Sequence, residues 1–85
     1  MDWGIAGTGK IAHKFLDTIE KMEGERIVAV GSRRKESAEA FISSRPGIIA
    51  HESYSDLFRD QRVEAVYIAV PNTLHYALIK EALEN

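Results

Sequence analysis

The chain has 85 residues, a formal net charge of -2 and no cysteine. Its length allows one small domain, and its charge gives no support for binding to nucleic acid or to a membrane surface. The lack of cysteine excludes disulfides, thiolate metal ligands and cysteine nucleophiles, and no apolar run reaches the ~18 residues of a membrane span. Because a strand is predicted from near residue 2, we expect no signal peptide and predict a cytoplasmic protein.

The chain opens with a short apolar run over residues 3–6, which predicts a strand, followed by two glycines and a helical pattern over residues 10–22. Gly7, Gly9 and Ala12 fit the spacing G-x-G-x-x-G/A of a dinucleotide-binding turn. The first glycine lets the chain turn off the strand. The second lets a pyrophosphate approach the backbone, and the small third residue lets the helix lie close. The helix N-terminus then favours the phosphate charge.

A second phosphate-binding pattern overlaps the first. Gly4, Gly9 and Lys10 fit most of G-x-x-x-x-G-K-[ST], the loop that binds nucleoside triphosphates. That loop needs a hydroxyl after the lysine to hold magnesium, and Ile11 stands there. It also needs a strand before its first glycine, where this chain has only residues 1–3. The dinucleotide interpretation is therefore favoured.

The remaining elements alternate between strand and helix. Residues 26–31 carry the continuous apolar run of a strand covered on both faces. Residues 62–70 contain the strongest strand signal, and residues 48–51 are predicted to form a short strand. Helices are predicted over residues 36–44, over one turn through Phe58 with Ser53 as N-cap, and after Asn72 or Thr73. On the first helix the predicted inner stripe comprises Ile11, Phe15, Ile19 and Met22, widened by Ala12 and Leu16.

This alternation predicts an α/β fold of three layers, with a parallel sheet in strand order 3-2-1-4 between helices. The order is that of an incomplete doubly wound fold, in which ligands bind at the carboxyl ends of strands one and four. Residues 7–10 and 70–75 follow those two strands. They are distant in sequence, and the predicted topology brings them together.

The end of the second strand bears on the choice of cofactor. Ser32 stands where an acidic residue would bind the ribose 2′-hydroxyl of NAD, and Arg33 and Arg34 follow. A serine hydroxyl and a guanidinium can bind a 2′-phosphate, and no carboxylate repels it there. We therefore predict that NADP is preferred, with NAD possible. The alternative is a solvated basic turn before a helix.

Four segments resemble, in order, the amino-terminal part of the Gfo/Idh/MocA family of glucose–fructose oxidoreductases and inositol dehydrogenases. They are residues 3–12, 28–33, 53–57 and 63–75. The resemblance implies the NAD(P)-binding Rossmann domain of an enzyme that moves a hydride between a nicotinamide cofactor and a sugar, polyol or dihydrodiol hydroxyl. It implies pyrophosphate contacts from Gly7, Thr8, Gly9, Lys10 and Ile11. It places Ser32 and Arg33 at the adenosine ribose. Near the nicotinamide ribose it places Val70, Pro71, Asn72 and His75.

Members of the resembled family continue into a fifth strand, a glutamate-lysine-proline motif and a substrate-binding domain. This chain ends at Asn85, before all three. We therefore expect residues 1–85 to be a cofactor-binding domain truncated before its fifth strand, with no catalytic residue and no activity alone. The alternative is a non-catalytic dinucleotide-binding or self-associating module. In either case the open edge of the fourth strand predicts self-association, or pairing with a missing remainder of the enzyme.

Five further side chains have competing interpretations. His75 lies either near the nicotinamide or in solvent at a helix end. His13 is expected to face solvent or a nearby phosphate, and His51 is expected to be structural. Trp3 and Tyr67 are expected to pack in the core rather than to stack on a ligand.

Overall fold

The structure is a computed structural model, and it describes residues 1–69 and residue 83. The elements in chain order are β1 (Asp2–Ala6), α1 (Lys10–Glu20), β2 (Arg26–Gly31), α2 (Lys35–Phe41), β3 (Ile49–His51), α3 (Tyr54–Phe58) and β4 (Ala65–Ile68). The predicted alternation is therefore confirmed through β4. The helix predicted after Asn72 or Thr73 lies outside the described residues.

The four strands form one parallel sheet in the order β3-β2-β1-β4, as predicted. Ile5 of β1 pairs with Val30 of β2 on one side and with Tyr67 of β4 on the other. Such a sheet requires strands that are apolar on both faces, because helices cover both sides. The run from Ile27 to Gly31 meets this requirement, and all of its residues are buried.

Two apolar layers lie on opposite faces of the sheet. One layer joins Ile5 and Val30 to Leu16 of α1 and Phe41 of α2. The other contains Ala6, Val28 and Ala29 of the strands with Leu57 of α3. Strand side chains otherwise alternate between the faces, but the register of β1 with β2 shifts at this point, and the consecutive residues Val28 and Ala29 share one layer. The predicted three-layer arrangement is thus confirmed.

The buried face of α1 differs from the predicted stripe at both ends. Its buried residues are Ala12, Leu16 and Ile19, whereas Ile11 and Met22 are 61% and 50% exposed. The prediction was wrong for Ile11 because a step of one residue turns the helix by about 100°, away from the face of Ala12. It was wrong for Met22 because α1 ends at Glu20, and Met22 lies in the turn that follows.

Two glycines of the sheet make room for α3. An added Cβ at Gly4 would lie 2.9 Å from Leu57 Cδ1, and one at Gly31 would lie 2.9 Å from Leu57 Cβ. Gly4 is therefore a packing position inside β1, paired with Ala29 and Val66. This placement removes the first glycine from the alternative triphosphate loop, because that loop would have to begin in the middle of a strand.

Three aromatic rings pack on the α1 side of the sheet. The rings of Phe15 and Tyr67 are stacked, with centroids 4.0 Å apart and an interplanar angle of 5°. Trp3 meets Phe15 edge-on, with centroids 5.2 Å apart. Trp3 and Tyr67 thus contribute to packing between β1, β4 and α1, as predicted.

Candidate cofactor site

The turn between β1 and α1 starts at Gly7. Gly7 is buried and has a φ of 114°, a conformation that side-chain-bearing residues rarely adopt. Its amide donates a hydrogen bond to the carbonyl oxygen of Gly31, over 2.9 Å. The first glycine of the motif therefore allows the sharp turn and is held against the end of β2.

Gly9 is the N-cap of α1, and its carbonyl accepts the first helical hydrogen bond, from the amide of His13, over 3.1 Å. No side chain caps this end of the helix, and its first turn has no acidic residue. An added Cβ at Gly9 would meet nothing within 4 Å. The backbone at Gly9 is thus accessible from outside. The uncapped N–H groups at this end of an 11-residue helix are of the kind that can bind an anion.

The residues around Gly9 divide into buried and exposed positions. Ala12 is fully buried and packs in the same layer as Ile5 and Val30, so a larger residue would push α1 off the sheet. Thr8 is half-buried, and Lys10 and Ile11 are exposed beside the turn. Three of the predicted pyrophosphate contacts, Thr8, Lys10 and Ile11, therefore lie at or near the surface of the turn.

Ser32 follows β2 and is only 8% exposed. Its amide donates to the carbonyl oxygen of His51 over 3.3 Å. Its Oγ accepts a hydrogen bond from the amide of Arg34 over 3.3 Å, and its hydroxyl hydrogen is still available to a ligand. Arg33 and Arg34 are exposed, so their guanidinium groups can reach a ligand in front of Ser32.

A cleft of about 450 Å³ lies beside the two arginines. Its walls are formed by Arg33, Arg34, Lys35, Glu36, Glu52, Ser53 and Asp56. Glu52 and Asp56 were not among the predicted site residues. The predicted topology could have indicated them, because residues that follow β3 lie at the same edge of a parallel sheet as those that follow β1 and β2.

The carboxyl end of β4 reaches the same edge of the sheet as the turn. The amide of Ala69 donates to the carbonyl oxygen of Ala6 over 2.7 Å, and Gly7 follows Ala6 directly. All of the residues predicted to lie near the nicotinamide are outside the described residues. They are Val70, Pro71, Asn72 and His75.

Two histidines have structural partners. The ring of His13 packs on Phe41 of α2, with centroids 4.2 Å apart. His51 Nε2 lies 2.9 Å from Asp60 Oδ2, and Asp60 is only 6% exposed at its side chain. The structural interpretation of His51 is confirmed by this contact.

The pKa of the Asp60 carboxyl lies well below its ordinary value. The main cause is hydrogen bonding from Arg62. Burial acts in the opposite direction, and a further hydrogen bond from His51 adds to the lowering. Arg62 Nε donates to Asp60 Oδ1 over 3.0 Å. Asp60 therefore has a structural role, as a charged carboxylate that is hydrogen-bonded to His51 at the end of β3 and to Arg62.

Within residues 1–69 and residue 83, no group of three or more histidine or acidic side chains is placed to hold a metal ion. No helix in this part of the chain is long and apolar enough to cross a membrane. The described edge of the sheet presents uncapped backbone N–H groups, two exposed arginines and a serine hydroxyl.

The sequence profile of the Gfo/Idh/MocA oxidoreductases, described as an oxidoreductase family with an NAD-binding Rossmann fold, matches residues 1–85. The chain belongs to the Gfo/Idh/MocA family. The resemblance and the Rossmann-like fold predicted from the sequence are thereby confirmed, and the matched region is the NAD-binding region of NAD(P)-dependent oxidoreductases. The turn at Gly7 and Gly9 thus lies in the part of the family that binds the dinucleotide.

Three known proteins illustrate what this chain is similar to. Inositol 2-dehydrogenase of Rubrobacter xylanophilus is 35% identical over 83 residues, which are 96% of this chain and 24% of that protein. The structure of a 3-ketoreductase from Actinomadura kijaniata in complex with NADP is 32% identical, with a TM-score of 0.89 over 99% of this chain and 27% of that one. Myo-inositol dehydrogenase from Lactobacillus casei, in complex with NAD(H) and myo-inositol, shares the fold with a TM-score of 0.92 and 24% identity, over 100% of this chain and 26% of that one.

The chain spans about a quarter of the length of these three proteins. One of the two solved structures holds NADP and the other holds NAD(H). Family membership therefore establishes nicotinamide dinucleotide binding for this region and leaves the choice between the two cofactors open.

Proposed function

We propose that residues 1–85 bind NADP in preference to NAD, as the cofactor-binding part of an oxidoreductase that acts on CH–OH groups of a sugar, polyol or dihydrodiol. When bound, the nicotinamide ring would accept or supply a hydride. We assign no catalytic residue to this chain. Its own residues would bind the pyrophosphate and the adenosine end of the cofactor.

The observation that carries this proposal is the pairing of Gly7 and Gly9. Gly7 makes a turn that requires a positive φ, and Gly9 leaves open space in front of an uncapped helix N-terminus. A pyrophosphate fits such a place, because it needs close backbone approach and several N–H donors. The remaining pyrophosphate contacts in the proposal are Thr8, Lys10 and Ile11.

The preference for NADP is supported by the loop after β2. The exposed guanidinium groups of Arg33 and Arg34 have no ion-pair partner in the described part of the chain. Beside them, Ser32 retains a hydroxyl hydrogen that it can donate. Together they offer a 2′-phosphate two charges and a hydrogen bond. For the other end of the cofactor, the proposal includes Val70, Pro71, Asn72 and His75 on family resemblance alone.

Substitution of Gly9 tests the pyrophosphate site. Gly9→Val places a branched side chain in the open space and should reduce NADPH affinity at least about tenfold. The φ of Gly9 is -84°, which valine adopts freely, so the circular dichroism spectrum and thermal midpoint should change little. Ala40→Val is the control, since it adds similar bulk at an exposed position of α2 away from the cleft. Unchanged NADPH affinity in Gly9→Val would refute the assigned site.

Side-by-side titration of NADPH and NADH tests the cofactor preference. Arg33→Ala and Arg34→Ala should each weaken NADPH more than NADH, because only NADPH carries the 2′-phosphate. Lys21→Ala removes one exposed positive charge after α1 and serves as the control for net charge. Equal or tighter binding of NADH by the unsubstituted chain contradicts the preference.

A second candidate function is self-association through β4. The strand pairs with β1 along one edge, and in residues 1–69 no strand pairs with its other edge. An open strand edge offers unpaired N–H and C=O groups to another chain, either a second copy or the remainder of an enzyme. Sedimentation velocity across a dilution series tests this, and a monomer at every concentration contradicts self-association.

The cytoplasmic location stays a prediction, which fractionation of cells that express the protein would test.

A further inference from the structure

The open cleft beside Arg33 and Arg34 is lined by side chains of both charges. Arg33, Arg34 and Lys35 follow β2, and Glu52 and Asp56 follow β3. With Glu36, the lining contains three cationic and three anionic side chains, so its formal charge at neutral pH is zero. The basic run that suggests NADP in the sequence therefore shares its cleft with carboxylates in the folded chain.

Glu52 is not neutralised by an ion pair with the arginines of the cleft in the described part of the chain. Among residues 1–69, no ion pair or side-chain hydrogen bond joins Glu52 to Arg33 or Arg34. Glu52 is exposed, whereas Asp60, the other acid near the end of β3, is held by Arg62 and His51. The charge of Glu52 is thus free to act on whatever occupies the cleft.

Glu52 is also close to Ser32 along the backbone, through one hydrogen bond between neighbouring strand ends. It directly follows His51, whose carbonyl oxygen accepts the hydrogen bond from the Ser32 amide. Glu36 and Asp56 lie in the first turns of α2 and α3, where helix N–H groups offset part of their charge. Glu52 lies between β3 and α3, outside either helix, and lacks that offset.

We infer that Glu52 is a specificity-determining residue that opposes NADP and leaves NAD unaffected, so that the preference created by Arg33 and Arg34 is kept small. This inference rests on the proposed function of the same site. A 2′-phosphate carries a charge between about -1.5 and -2. A carboxylate in the same cleft lies within about one Debye length of it and repels it, whereas the neutral 2′-hydroxyl of NAD is not repelled.

The test is a titration of the full chain with NADPH and with NADH, for the unsubstituted protein, Glu52→Gln and Glu52→Lys. Glu52→Gln should raise NADPH affinity about three- to tenfold and change NADH affinity less than about twofold. Glu52→Lys should act in the same direction and more strongly. The gain should shrink between about 20 mM and about 500 mM salt, because salt screens the repulsion. Glu39→Gln, an exposed acid on α2 that does not line the cleft, is the matched control.

The ratio of the two affinities separates this role from a structural one, because a distorted cleft would weaken both cofactors together. If Glu52→Gln and Glu39→Gln give the same NADPH-to-NADH ratio as the unsubstituted chain, the role of Glu52 is overturned while the proposed function stands. If the unsubstituted chain binds neither dinucleotide, the proposed function fails and this inference fails with it.

Discussion

The amide of Gly7 donates a hydrogen bond to the carbonyl oxygen of Gly31, over 2.9 Å. Gly7 opens the candidate phosphate turn, and Gly31 is the last residue of β2, directly before Ser32. The turn and the Ser32 loop are therefore held together by the sheet itself. The bond from Ala69 to Ala6 ties the end of β4 to the same place.

Gly7 and Gly9 should respond differently to alanine. Gly7→Ala forces a side chain into a φ of 114° and should lower the free energy of unfolding by about 1–3 kcal/mol. Gly9→Ala meets open space at an ordinary φ and should lower it less, by about 1 kcal/mol or below, which is the cost of alanine at an N-cap. Urea unfolding followed by circular dichroism measures both values. Equal losses in the two variants would show that the turn does not depend on the conformation of Gly7.

The two glycines beneath α3 should also differ in their response to alanine. A Cβ at Gly31 would lie 2.9 Å from Leu57 Cβ and 3.2 Å from the carbonyl oxygen of Ser53, and neither atom can rotate away. A Cβ at Gly4 would meet the methyl group Cδ1 of Leu57, which can move. Gly31→Ala should therefore lower the free energy of unfolding by about 1–3 kcal/mol, and Gly4→Ala by less.

Double variants with Leu57→Ala separate the two contacts. Leu57 is fully buried, so Leu57→Ala alone should cost about 2–5 kcal/mol. It removes Cδ1, and Gly4→Ala should then cost less than it does in the presence of leucine. It keeps Cβ, so much of the cost of Gly31→Ala should persist. The reverse pattern in the unfolding free energies would contradict this account of the packing.

Asp60 should stabilise the fold in a pH-dependent way. Its pKa in the folded chain lies below its ordinary value of 3.8, chiefly because Arg62 donates hydrogen bonds to it. The carboxylate therefore adds stability above that ordinary value, and the gain is lost as the pH falls below it toward the folded pKa. Asp60→Asn should lower the free energy of unfolding by about 1–3 kcal/mol near neutral pH.

The difference between Asp60→Asn and the unsubstituted chain should shrink below about pH 4, where the unfolded carboxylate takes up protons. Urea unfolding at several pH values measures it. Asp17→Asn is the control. The Asp17 side chain pairs with Arg45 but is 62% exposed, so this substitution should change the free energy of unfolding by less than about 0.5 kcal/mol. A constant difference across the pH range would show that the Asp60 charge does not contribute.

The single tryptophan offers an optical reporter of Glu25. Trp3 Nε1 donates to Glu25 Oε1 over 3.0 Å, and this bond, with a second one from the Met1 ammonium group, lowers the pKa of Glu25 below its ordinary value of 4.5. Protonation of Glu25 weakens the acceptor, so Trp3 fluorescence should change with a midpoint below 4.5.

Glu25→Gln should abolish that fluorescence transition, because an amide does not titrate in this range. Glu64→Gln should leave it in place, since Glu64 accepts its hydrogen bond from the Asp2 amide rather than from Trp3. A transition that persists unchanged in Glu25→Gln would assign the signal to another group.

Local patterns in the chain were enough to predict the fold. Apolar runs of strand length alternate with helical periodicity, and right-handed crossovers then allow the order 3-2-1-4, which the sheet has. Strand β2 has the predicted bounds, and Ser53 caps α3 as predicted, through the Asp56 amide over 3.1 Å. The glycine spacing marked the turn correctly, because the positive φ of Gly7 favours a residue without a Cβ.

Three properties depended on how the elements pack against one another. Packing turned Ala12 rather than Ile11 toward the sheet. It packed Leu57 of α3 against Gly4 and Gly31, and it brought Glu52 into the same cleft as Arg33. The physical reason is that periodicity describes which residues share a face of one element, within a few residues of each other. Distances between elements depend on side-chain volumes and on the twist of the sheet, which arise only when the layers close on a common core.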